Sequence, residues 1–168
     1  VPDGAAFWVM SLRSASPVHF SHISAAYSSL FLNLVNESAT CDADTSGYAN
    51  LYVKDTELYL YTGTEAPQKV FVDRSGMGQG KIGYVTGANA TLGKNWETKG
   101  WRVDDWPNET FDGSLTFNGT SLQACPGGID GGWSIWLAIV EKPGFIEGCL
   151  GFTAAVTEIE DPIACQYT

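Results

Sequence analysis

The chain has 168 residues, 44% of them apolar, which is long enough to bury a core, and no apolar run approaches a membrane-spanning length. Acidic residues outnumber basic ones by 19 to 9, and the net charge of -10 argues against a nucleic-acid partner, whose phosphates demand clustered Lys and Arg. These limits point to one domain, residues 1–168, with no nucleic-acid and no membrane partner.

The chain opens "VPDGAAFWVMSL" with no basic leader segment, so it reads as a mature form. From there almost every apolar stretch alternates with period two, which puts one face of a strand on a core. The first strands are predicted over 6–12, 17–23 and 29–34. The window "ISAAYSSLFL", residues 23–32, is the one helix-like stretch, and its β-branched and aromatic ends leave it open. Further strands are predicted over 50–54 and 57–62, where Leu58 and Leu60 alternate with Tyr59 and Tyr61. Others follow over 69–73, 81–86, 100–104, 113–118, 121–125, 133–140 and 149–157, punctuated by Gly, Asn, Asp and Pro. The reading is an all-β protein of about twelve short strands. A faint echo between 57–86 and 100–126 favours a β-trefoil-like barrel, with a two-sheet β-sandwich as the alternative.

Several segments imitate catalytic or cofactor motifs. In "VDRSGMGQGKIGYVT" the glycines Gly78, Gly80 and Gly83 satisfy G-x-G-x-x-G. A dinucleotide site needs a helix after them, and a phosphate loop needs Ser or Thr after Lys81; "YVTGANATLG" is not helical and Ile82 follows the lysine. The segment therefore reads as a hairpin with a glycine turn. "DADTSG" places Asp42, Asp44, Ser46 and Gly47 like the start of a calcium loop, but its twelfth position is Val53 rather than Glu. His19 and His22 lie three apart on a predicted strand, on opposite faces, which suits no shared metal. Asp73, Asp104, Asp105 and Asp112 fall near strand ends and could supply a glycosidase pair, though turn acids are the commoner outcome. No cofactor, metal or catalytic residue is assigned.

Two patterns point outside the cell. Asn36, Asn89, Asn108 and Asn118 each begin an N-x-Ser/Thr sequon, where seven asparagines would give about one by chance. Cys41, Cys125, Cys149 and Cys165 form no C-x-x-C pair, so an even count reads as two disulfides in an oxidising compartment. Strands 121–125 and 149–157 flank "WSIWLAIV", which favours nested pairing, Cys41 with Cys165 and Cys125 with Cys149. Six Trp and seven Tyr are many for this length. Exposed aromatic planes stack on sugar rings, and Trp101, Trp106 and Trp136 are the candidate carbohydrate-binding residues, against the plainer reading that they fill a core.

The segments "SLRSASPVHFSHISAA", "VFVDRSGMGQGKIGYVT", "GWRVD…GSLTFNGTSLQACP" and "WSIWLA…CLGFTAAV" resemble, in order, secreted fungal cell-wall proteins of the PhiA type. A more distant resemblance is to the four-cysteine C-terminal domain of the Pir cell-wall mannoproteins, with gaps here of 83, 23 and 15 residues between cysteines. This sequence does not contain the Pir repeats that carry covalent attachment to glucan. The PhiA resemblance implies a non-enzymatic glycoprotein of the wall or culture fluid, linked to conidium-forming cells. It also implies recognition by a host receptor or antibody, as in those relatives that act as allergens or elicitors; cell-wall polysaccharide as a partner is suggested instead by the tryptophan surplus and a trefoil-like fold.

Overall fold

The computed structural model describes residues 1–44 and 47–168; Ser46 of the calcium-like stretch lies outside them. Fifteen strands and no α-helix are found among the described residues, so the protein is all-β. The strands are β1 (Ala6–Leu12), β2 (Ser24–Ala26), β3 (Ser29–Leu32), β4 (Ala39–Cys41), β5 (Leu51–Lys54), β6 (Glu57–Leu60), β7 (Gln68–Asp73) and β8 (Lys81–Thr86). They continue as β9 (Trp96–Glu97), β10 (Trp101–Asp104), β11 (Gly113–Phe117), β12 (Leu122–Cys125), β13 (Trp133–Leu137), β14 (Leu150–Glu158) and β15 (Cys165–Tyr167).

Eight of them pair antiparallel in a path that returns to its start, β1–β5–β6–β7–β8–β13–β12–β14–β1. Closure leaves few open backbone edges on the ring strands. β14 is the hub: Val156 faces Val9 of β1 on one edge and Gly113 of β11 on the other, and Phe152 faces Leu122 of β12. β10 extends the sheet outward from β11. One buried apolar cluster gathers Phe7, Val9, Leu51, Leu58, Leu60, Val72, Ile82, Ile135 and Val156 from around the ring. The alternation read from the sequence is what aims these residues inward.

Two regions differ from the sequence reading. Residues 17–23 form no strand; they belong to a turn-rich loop that meets β1 through an isolated bridge between His22 and Met10 and backbone bonds from Ser11 N–H to Ser21 O, Phe20 N–H to Ser11 O and Ile23 N–H to Val9 O. Ser16 Oγ donates to Arg13 O and accepts Val18 N–H, and Ala15 and Phe20 have positive φ, so local side-chain bonds outcompete a ladder there. The open window 23–32 resolves as a tight hairpin. Tyr27 and Ser28 both take positive φ, which folds β2 directly onto β3.

The two segments behind the sequence echo pair differently. Residues 57–86 form an antiparallel meander of β6, β7 and β8, whereas β10 and β11 form a hairpin and β12 pairs with β13 and β14.

Both disulfides join strand termini. Cys41–Cys165 links directly opposed residues of the separate β4–β15 ribbon, and Cys125–Cys149 ties the end of β12 to the start of β14. By loop-closure entropy, cross-links spanning 124 and 24 residues stabilise the fold by about 5 and about 3 kcal/mol.

Candidate functional site: an aromatic outer face

The ring pushes alternate side chains of β5 and β6 outward. Leu51, Leu58 and Leu60 go to the core, which leaves Tyr52, Tyr59 and, just past β6, Tyr61 half-buried on the opposite face. Cross-strand pairing sets Tyr52 opposite Tyr59, and their rings stack at 5.1 Å and 12°. Tyr61 meets Tyr52 edge-on at 6.3 Å. Lys69 of β7 extends the row: its Nζ lies 5.6 Å from the Tyr59 ring centre and 3.0 Å from Glu57 Oε2. Burial, then the neighbouring tyrosines, push the Tyr52 hydroxyl above its usual range. Burial and then Glu57 do the same for Tyr59, so both stay neutral hydrogen-bonding groups. Burial acts to raise Glu57, but hydrogen bonds from Thr98 and Lys69, with the charges of Lys69 and Lys99, hold its carboxyl below the usual value.

Beside Tyr59 lies a cleft of about 230 Å³ walled by Pro67, Lys69, Val85 and Leu92. Its rim is the 87–92 segment, which carries the Asn89 sequon. The tyrosine row adds aromatic planes with polar tips, the chemistry that meets both the C–H face and the hydroxyls of a sugar.

The tryptophans singled out from the sequence are placed otherwise. Trp101 is 1% exposed and Trp136 is 8% exposed, so neither opens a ring face to solvent. Trp101 packs edge-on against Phe117 in the core. Trp136 donates to Ser134 Oγ and has Lys81 Nζ 5.6 Å from its ring. Burial among these rings lowers the Lys81 ammonium to about 8. These two residues are corrected to core positions: alternation set their parity, and the layers around β10 and β13 covered both. Trp106, half-buried in the 105–112 loop against Phe111, is the one of the three that stays partly open.

The remaining motif residues have structural partners. Gly80 has φ of +91°, as the glycine turn between β7 and β8 requires. Gly83 sits flat under Phe71, where a Cβ would lie 2.8 Å from that ring. No helix follows to receive a phosphate. Asp73 accepts Ser75 N–H inside this turn, and Asp112 accepts Glu158 N–H. Asp104 pairs with Arg102 at 2.6 Å and accepts Thr116 Oγ1–H, while Asp105 is exposed. His19 accepts Arg13 N–H and His22 stacks on Tyr48, so they do different work. No group of three metal-ligating side chains forms among the described residues. Asn36, Asn89, Asn108 and Asn118 are all exposed and outside the strands. The signal for the tyrosine row was present in "ELYLYT", where the tyrosines oppose the leucines. Only the register that brings Tyr52 beside Tyr59 makes it a surface.

The family model described as "PhiA-like secreted protein" matches residues 7–168. The chain is similar to proteins named "Cell wall protein phiA". It is 44% identical over 163 residues to that of Emericella nidulans, covering 96% of this chain and 86% of the relative. For Aspergillus niger the identity is 45% over 163 residues, covering 96% and 85%. For Arthroderma benhamiae it is 42% over 152 residues, covering 86% and 77%. No solved structure matches the chain.

Proposed function

This chain belongs to the PhiA-like secreted proteins, and with that premise we propose that it is a non-enzymatic structural glycoprotein of the fungal wall or conidial surface that holds wall polysaccharide non-covalently. Secretion and a cell-wall location follow from the family and from the names of its relatives. Neither the family description nor those names states an enzymatic activity.

The observation that carries the polysaccharide reading is the outward tyrosine row Tyr52–Tyr59–Tyr61 with the adjoining cleft. A rigid sheet holds these rings at no further ordering cost, which favours a repetitive, stiff ligand. Glycans on Asn36, Asn108 and Asn118 would cover other parts of the surface, a glycan on Asn89 would stand at the rim of the cleft, and all four would help keep the acidic protein soluble. We also read the closed strand path as a barrel rather than two sheets; a crystal structure with two separate sheets would overturn that.

The test is retention on insoluble β-glucan and chitin. Wild type is expected to sediment with at least one of them, and Tyr59→Ala with Tyr61→Ala to lose most of that retention while melting as a folded protein. No retention of the wild type on either polymer would end the proposal.

A further inference from the structure

The cleft beside Tyr59, at about 230 Å³, is below the ~300–1,000 Å³ of sites for larger ligands, so it takes one or two sugar units rather than a length of chain. Pro67, Val85 and Leu92 give it an apolar wall, and Tyr59 and Lys69 add polar groups. Leu92 is 38% exposed, a large apolar side chain left open at the rim. That rim also carries an attachment point for sugar. Ala88 and Ala90 line the cleft, and Asn89 between them is exposed and begins the sequon Asn89-Ala90-Thr91.

The root of a glycan at this position is held in place. Gly87, with φ of +109°, turns the chain after β8, and its N–H donates to Pro67 O at 2.8 Å. Ala90 N–H donates to Gly87 O at 3.3 Å and closes the turn. These bonds tie residues 87–90 to Pro67, a wall of the same cleft. The other three sequons, at Asn36, Asn108 and Asn118, lie outside the segments that line it.

An N-linked glycan starts with two N-acetylglucosamines in β-1,4 linkage, which is the repeating unit of chitin. A cleft that accepts this unit from a polymer also accepts it from its own rim. A group on a short flexible tether has an effective concentration in the ~mM range, enough to compete with the weak binding of one or two sugar units. We propose that Asn89 is glycosylated and that the first sugars of its glycan fold into the cleft beside Tyr59, where they compete with wall polysaccharide for the tyrosine face. This rests on the reading of that face as the polysaccharide-holding surface, and it adds a control on it: loss of the Asn89 glycan opens the face, and loss of a glycan elsewhere does not.

The experiment uses the protein secreted from a glycosylating fungal host, with occupancy of Asn89 read by peptide mass. Half-retention on insoluble chitin and on β-glucan is compared for wild type, Asn89→Gln, Thr91→Ala and Asn108→Gln. Asn89→Gln and Thr91→Ala remove the same glycan through different residues, and each is expected to reach half-retention at about fivefold less polymer than wild type. Asn108→Gln is expected to match wild type, and Tyr59→Ala in the Asn89→Gln background to lose the gain. An unmodified Asn89 refutes the proposal. If wild type and Asn89→Gln are retained equally, the glycan does not occupy the cleft and the tyrosine face stands. If none of the proteins is retained on either polymer, both readings fall. An equal gain in Asn108→Gln refutes the cleft as the seat of the effect.

Discussion

Two regions of the molecule, the C-terminal ribbon and the start of β10, treat buried polarity in opposite ways. At the C-terminal end, β15 is held by Gln68, which is fully buried: its Nε2–H₂ donates to Tyr167 O at 2.7 Å and to Thr86 Oγ1 at 2.9 Å, and its Oε1 accepts Tyr167 N–H. Tyr84 OH donates to Thr168 O, Tyr167 OH accepts Asn50 N–H, and Cys41–Cys165 locks the ribbon. At the start of β10, the Trp101 indole N–H is buried with no acceptor among the described residues. A fully paired network specifies one packing and gives nothing to a ligand. An unpaired buried donor weakens the fold.

The sharpest way to break this contrast is Gln68→Met, which keeps volume and removes the amide. Tyr167 N–H and C=O would then be buried without partners, at about 4 kcal/mol in total. Urea denaturation reads it directly, and a loss under about 1 kcal/mol would show that the C-terminal network is not what holds β15.

Glu37 sharpens the comparison through pH. Its carboxylate accepts Ala25 N–H beside Tyr84 and Tyr167, and none of the observed ion pairs includes it. Burial raises its pKa to about 7, only partly countered by the Ala25 N–H bond. The folded state therefore holds this proton more tightly than the unfolded chain, so the group's contribution is fully present below about pH 4.5 and is lost as pH rises through 7. Glu37→Gln should match wild type at pH 4 and exceed it by roughly 3 kcal/mol at pH 8. Melting curves at the two pH values decide; an equal gain at both would mean the carboxyl is not titrating in the fold.

The smallest effect belongs to Trp101→Phe. Lost volume costs stability, while removal of the orphan N–H returns part of it, so the net change should stay near ~1 kcal/mol. A loss of 3 kcal/mol or more in urea would mean that the indole N–H is satisfied in the folded protein.

Much of this was legible in the sequence. "ELYLYT", "SLTFNG" and "CLGFTAAV" announced strands because parity is local: each residue's face follows from its neighbour's. The exceptions were also local chemistry that pattern reading passed over. Ser16 and Pro17 broke 17–23 into turns, and the two positive-φ residues Tyr27 and Ser28 turned an ambiguous window into a hairpin. β4, β9 and β15 are two or three residues long and carry too little pattern to be seen.

By itself, then, the sequence determined the all-β class, the inward leucines and valines, the four cysteines and the four sequons, along with a family resemblance spanning most of the chain. Only the tertiary structure decided that the path closes from β14 to β1, that Trp101 and Trp136 are covered while Tyr52, Tyr59 and Tyr61 line up outside, and that the Trp101 indole N–H has no acceptor among the described residues. Parity is carried by adjacent residues, but register, layer order and the pairing of a buried atom depend on segments far away in the chain.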